Sequence, residues 1–151
     1  MKSSYNVYLS FAFSCCVTKG CTPPWAIYGG SCYALYTTAE SWSNADATCK
    51  KNGAQLVKIE SAGENDFIKR EFLTEEEHYW IGLTDSAKEG DWKWTDGTGL
   101  TGYTNWRSSE PNNANGEDCG EIKMGKYGKK YYDAAWNDLD CSLHLSFICE
   151  K

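Results

Sequence analysis

Histidine is nearly absent from this chain of 151 residues. There are 2, His78 and His144, and none of the 8 cysteines sits in a Cys-x-x-Cys pair. A structural zinc site is therefore poorly supported. No apolar run reaches the ~18 residues that a membrane-spanning helix requires, and there is no internal repeat or low-complexity tract. The sequence also lacks His-Glu-x-x-His, Gly-x-Ser-x-Gly and a Cys/His pair. The common hydrolase chemistries thus have no recognisable nucleophile or base, and a non-enzymatic role is expected. Positive charge is in short supply: 15 Lys and Arg stand against 21 Asp and Glu, a formal net charge of −6. Such a chain repels phosphate backbones and anionic membrane surfaces, which argues against nucleic acid or a bilayer as partner.

What is present is aromatic and cysteine-rich. Aromatics make up 15%, with 7 Trp and 10 Tyr. That exceeds the needs of one small core, so some rings are expected to face a partner or ligand. The length allows one domain, or one domain with a short leader. With 41% hydrophobic and 24% charged residues, it is globular in composition. The cysteines are Cys15, Cys16, Cys21, Cys32, Cys49, Cys119, Cys141 and Cys149. Disulfides in an oxidising compartment explain them best, which implies a secreted, extracellular protein. Residues 1–20 carry Lys2, an apolar stretch over 7–17 and small residues at Ala12 and Ser14. This reads as a signal peptide or leader, leaving a domain over 21–151. Cys15 and Cys16, if retained, are candidates for interchain disulfides in a homo-oligomer.

Along the body of the chain, Gly29-Gly30 between aromatics reads as a hairpin turn. Trp42, Ala45 and Cys49 recur at helical spacing over 41–52, with Gly53 as a stop. Leu56, Val57 and Ile59 suggest a short strand. Ser61 and Glu64 form a capping-box pattern ahead of a second helix with Phe67, Ile68 and Phe72 as its buried stripe. Residues 79–83 are a compact buried strand. From 85 to 115 the chain turns rich in Gly, Asn, Asp, Thr and Trp, which predicts a long loop. Strand patterning returns near Tyr131-Tyr132, Ala135-Trp136 and 145–149.

Oxygen donors concentrate in the loop half: Asp85, Glu89, Glu110, Asn112, Asn113, Glu117, Asp118, Asn137 and Asp138. Carboxylates and amides without Cys or His nearby suit a hard cation, and Ca²⁺ above all. The spacing is not that of one contiguous EF-hand loop, so folding must gather the donors. Solvated turn residues would give the same pattern of side chains.

The motifs Trp80-Ile81-Gly82-Leu83, Glu110-Pro111-Asn112 and Trp136-Asn137-Asp138, taken with the order of the cysteines, resemble a C-type lectin domain across 21–149. The resemblance implies an α+β fold: two helices flanking small antiparallel sheets, a long calcium-binding loop and three disulfides. It implies the pairs Cys21–Cys32, Cys49–Cys149 and Cys119–Cys141, one of many pairings that six cysteines allow. It further implies that Glu110, Asn112, Glu117, Asn137 and Asp138 hold Ca²⁺ and bind a sugar, with a cis peptide before Pro111. Two vicinal hydroxyls would complete the coordination, give protons to carboxylates and accept bonds from amide NH₂ groups.

In the family, the order Glu-Pro-Asn implies mannose-type sugars (mannose, glucose, fucose or N-acetylglucosamine). Exceptions accept galactose, and other members bind proteins, lipid or ice. A role in recognising microbial glycans follows from the resemblance alone. Asp85, Glu89, Glu117 and Asp118 match an auxiliary calcium site, where Asn113 stands in place of a frequent Asp and lowers the ligand charge. Trp80 and Trp106 are expected in the core, and Trp136 as packing under the calcium loop. Residues 120–135, with Lys123, Lys126, Lys129 and Lys130, are longer than the usual turn. A surface insertion is favoured there; the other reading is a hairpin whose Tyr127 or Tyr131 reaches the sugar, or whose lysines meet an acidic glycan.

Overall fold

The computed structural model describes residues 20–128 and 130–151, with side chains undescribed at 127 and 130. The expected leader, Cys15, Cys16 and Lys129 lie outside the described residues.

The elements follow in the order β1 (Ala26–Tyr28), β2 (Ser31–Glu40), α1 (Trp42–Lys51), β3 (Gln55–Leu56), α2 (Ala62–Phe72), β4 (His78–Thr84), β5 (Lys93–Trp94), β6 (Cys119–Tyr127), β7 (Lys130–Leu139) and β8 (Leu145–Glu150). The sheet runs β1-β2-β8-β4-β6-β7, with β3 on β8 and β5 on β4. It is one mixed sheet, where small antiparallel sheets were expected. Tyr79 pairs with Ser146 and Trp80 with Phe147 in the parallel sense, which joins the two halves.

Local chemistry explains most of the elements. Gly29 and Gly30 both have positive φ, as a two-residue hairpin turn demands, and β1 pairs with β2 across it. α1 buries Ala45 and Cys49. At α2 the Ser61 hydroxyl accepts a bond from the Glu64 N–H, a normal N-cap. The reciprocal half of the capping box is displaced by one residue: the Glu64 carboxylate accepts from the Glu60 N–H and from the Tyr33 hydroxyl. Of the strand expected through Ile59, only Gln55 and Leu56 pair in the ladder. Val57 still donates its N–H to the Ile148 carbonyl and accepts from the Gly82 N–H, at 2.9 and 2.8 Å, and Ile59 is buried beyond it. Gly82 has a steric reason: a Cβ there would sit 2.6 Å from the Leu56 carbonyl oxygen.

Disulfides join Cys21 to Cys32, Cys49 to Cys149 and Cys119 to Cys141. The first closes the β1–β2 hairpin and the second ties α1 to β8. The third fastens the start of β6 to the segment beyond β7.

The core lies on both faces of the central strands. Trp80, Ile81, Ile122, Trp136, Phe147 and Ile148 are fully buried. Trp94, Tyr103 and Trp106 each meet the Trp136 ring edge-on, at 5.8, 5.8 and 5.9 Å. Such pairs add about 0.5–1.5 kcal/mol each beyond area burial. The aromatic surplus therefore goes mostly into a scaffold under the loop. Among the described residues Tyr131 is the one aromatic side chain that stands largely exposed, at 60%. Trp106 is half-buried, not fully enclosed as expected.

The 85–115 stretch is irregular apart from β5 and two isolated bridges, Lys93 to Gly99 and Trp106 to Trp136.

Candidate functional site

The loop is fastened to the sheet at two places, and each fastening gathers oxygens. The first is where β4 ends. The Thr84 hydroxyl and the Asp85 N–H both donate to the Asp118 carbonyl, at 2.7 and 3.1 Å. Asp85, Glu89 and Asp118 thereby bring carboxylate oxygens within 4.8 Å of one another. Asp85 Oδ2 accepts from the Gly90 N–H at 2.8 Å, while its Oδ1 is buried with no hydrogen-bond partner. A buried carboxylate oxygen without a donor is costly, and a cation is the natural complement. Burial raises the Asp85 pKa above the ordinary value, and Asp118 and Asp138 add to the rise against the Gly90 bond. Glu89 is raised by desolvation and by the same neighbours. Asn113, in place of the expected acid, donates its side-chain amide to Glu89.

The second fastening is along β7. The Trp136 N–H donates to the Asn105 carbonyl, and the Arg107 N–H to the Trp136 carbonyl, both at 2.8 Å. Ala134, with φ of 52°, bulges from the β6–β7 ladder, and its carbonyl accepts from Asn105 and Asn65 side chains at 2.7 and 3.1 Å. Asn65 in turn accepts from the Trp136 indole. This lattice delivers the 107–113 turn onto the end of β7. The Asp138 carboxylate, fully buried, accepts from the backbone N–H of Asn112 at 3.0 Å and of Asn113 at 2.7 Å. The peptide between Glu110 and Pro111 is cis.

Glu110 accepts from Arg107 Nη2 at 2.5 Å on one oxygen and from the Asn112 amide on the other. Asn112 Oδ1 accepts from the Ala114 N–H. Burial raises the Glu110 pKa, and Asp138 adds to the rise; the Arg107 charge and the Asn112 amide oppose it. Burial raises the Glu117 pKa, and Asp138, Glu110 and Glu121 add to the rise against a backbone bond from Ala114. Asn137 donates to Glu121 Oε1 at 2.9 Å and to the Asp138 carbonyl at 2.8 Å.

Glu110, Asn112, Glu117, Asn137 and Asp138 thus form one cluster, and Asp85, Glu89 and Asp118 a second beside it. Glu117, expected in both, feels the charges of Asp138 and Glu110 in the first and adjoins Asp118 of the second in sequence. Crowded carboxylates with raised pKa values mark repulsion that a divalent cation would relieve. Sequence reasoning missed Arg107 and Glu121. Glu121 lies inside a run of five buried β6 residues, Cys119 to Lys123, a burial that only the fold reveals.

The Lys/Tyr-rich segment forms the outer β6–β7 hairpin. Its Tyr131 pairs with Lys126 across the ladder and acts electrostatically on Lys69 of α2, which also bridges Asp133. Tyr131 thus stands on the exposed face of that hairpin. His144 is exposed.

The chain matches the family model described as Lectin C-type domain over residues 38–151. It is 33% identical over 144 residues to C-type lectin domain family 4 member M of Hylobates lar, covering 94% of this chain and 33% of that protein. The chain thus spans about a third of that relative's length. Among solved structures it resembles the mouse scavenger receptor C-type lectin carbohydrate-recognition domain, at TM-score 0.77 and 37% identity, covering 87% of this chain and 95% of that one. It also resembles a calcium-independent type II antifreeze protein, at TM-score 0.76 and 30% identity, covering 87% and 94%.

Proposed function

The chain belongs to the C-type lectin family, and on that premise we propose that it is a secreted, calcium-dependent carbohydrate-binding domain for mannose-type sugars. Glu110, Asn112, Glu117, Asn137 and Asp138 would hold the principal ion; Asp85, Glu89 and Asp118 would hold a second. The donors fit Ca²⁺, which accepts six to eight oxygens in flexible geometry; no sulfur or imidazole intrudes. When bound, the ion supplies open coordination positions to two neighbouring hydroxyls of a saccharide. The chain's own groups do the rest. Carboxylate oxygens accept hydrogen bonds from the hydroxyls and amide NH₂ groups donate to the hydroxyl oxygens. One such site is shallow and weak, so avidity needs several sites presented together.

The observation that carries this reading is the contact of Asp138 with the backbone of Asn112 and Asn113. It joins the Glu-Pro-Asn and Trp-Asn-Asp segments, which are remote in sequence, at one point. The test is retention on mannose-agarose with and without a chelator. Retention in Ca²⁺ and loss in EDTA is expected, and retention in EDTA refutes the reading. Glu110→Gln with Asn112→Asp should move preference toward galactose.

The likeness to a calcium-independent antifreeze protein supports a second reading: a domain of this fold that meets a protein or another surface without metal. A glycan array blank in the presence of Ca²⁺ would favour it. An array dominated by galactose would retain the lectin reading and change its sugar.

A further inference from the structure

Glu121 has no part in the function proposed above, yet it is the most enclosed acid beside the cluster. It lies on β6 between β4 and β7, paired with Trp80 on one side and Asn137 on the other, and is 0% exposed. A buried carboxylate is costly unless its oxygens are occupied. Here Oε2 meets His78 Nδ1 at 2.5 Å. Oε1 accepts from Asn137 Nδ2 at 2.9 Å, with Lys123 Nζ 3.4 Å away. An ionised carboxylate only accepts hydrogen bonds. Asn137 must therefore turn its NH₂ toward Glu121, and its Oδ1 is left for another partner. The Asp138 carbonyl takes the second NH₂ bond at 2.8 Å and reinforces that orientation. His78 Nδ1 on one oxygen and the Lys123 ammonium beside the other hold Glu121 in place.

We propose that Glu121 is a positioning residue for the calcium and sugar site: it fixes the Asn137 carboxamide so that the oxygen, and not the nitrogen, is offered to the cation. The inference rests on the function proposed above. Removing a group that orients a metal ligand typically lowers metal affinity by about 10–100-fold.

The test is Ca²⁺ titration of the full chain by calorimetry, with thermal unfolding run alongside. Glu121→Leu should weaken Ca²⁺ binding about tenfold or more. Asn137→Asp alone should also weaken it, because it sets an acid against Glu121. The double variant Glu121→Gln with Asn137→Asp reverses the polarity of the bond, since the glutamine NH₂ then donates to the new carboxylate. It should recover most of the affinity that Asn137→Asp loses. A merely structural role for Glu121 predicts no such rescue. If Glu121→Leu fails to fold, the comparison of Asn137→Asp with the double variant decides alone. A folded Glu121→Leu that binds Ca²⁺ within about twofold of the parent chain, or a double variant no better than Asn137→Asp, overturns the inference. A parent chain that takes up no Ca²⁺ overturns the underlying function instead.

Discussion

At the residue scale the molecule collects acids that would rather not be together. Glu110, Glu117, Asp85 and Glu89 all have pKa values raised, burial being the first cause in each, with Asp138 among the neighbours that raise each one. The sign of the consequence is fixed by that direction. A carboxylate whose folded pKa lies above its unfolded value opposes folding once it is fully ionised, and the penalty fades as pH falls toward the folded pKa. The metal-free chain should therefore gain stability from these groups on mild acidification from neutral pH. Ca²⁺ has to displace the same protons. Its affinity should fall over that same mildly acidic range, above the pH at which ordinary carboxylates titrate. Thermal unfolding with EDTA and with Ca²⁺, at neutral pH and at about pH 5, checks both signs. The stabilisation by Ca²⁺ should shrink at the lower pH, and a Ca²⁺ effect that grows on acidification contradicts the assignment. The oxygen-bearing side chains of the two clusters were legible in the sequence as residue types. Arg107 and Glu121 were not legible, since each acts through a partner, Glu110 or Asn137, that only the fold brings alongside.

At the element scale, the helices and the first hairpin were readable because their signals are local: a cap at Ser61, apolar spacing in α1, and two glycines between β1 and β2. The parallel pairing of β4 with β8 was not readable, because Trp80 and Phe147 are remote in sequence. The bulge at Ala134 was equally hidden, although it is what locks β7 to α2 and to the loop. The outer β6–β7 hairpin divides its faces. Tyr132 is buried, with the Arg107 and Lys123 cations 4.9 and 4.6 Å from its ring centre. Tyr131 and Lys126 lie across from each other and are exposed, with Tyr131 near α2. Replacing both with alanine should change mannose affinity by less than about twofold, as for ordinary exposed positions. Surface plasmon resonance on a mannosylated surface would read it. A loss of tenfold would put this face of the hairpin in the sugar site.

At the scale of the whole molecule, three disulfides staple a domain whose clustered acids and amides sit largely on loop. Cys49–Cys149 spans 100 positions of sequence, Cys119–Cys141 22 and Cys21–Cys32 11. In the chain-entropy model the longest closure stabilises most, by about 4–5 kcal/mol. Replacing both Cys49 and Cys149 with alanine should lower the denaturant midpoint more than the same change at Cys21 and Cys32. The reverse order would show that local strain, and not chain entropy, governs. The pairing itself came from the family resemblance, since spacing alone left the choice open.

The central claim is that folding gathers acids and amides from separate segments into a cation site that a saccharide completes. Calorimetric titration of the chelator-treated chain with Ca²⁺, followed by mannose in the same cell, tests it most directly. Saturable uptake of Ca²⁺ at about millimolar levels or below, and mannose heat that appears only after the metal is added, is the predicted result. No metal uptake in that range, or an equal mannose signal without Ca²⁺, would contradict it.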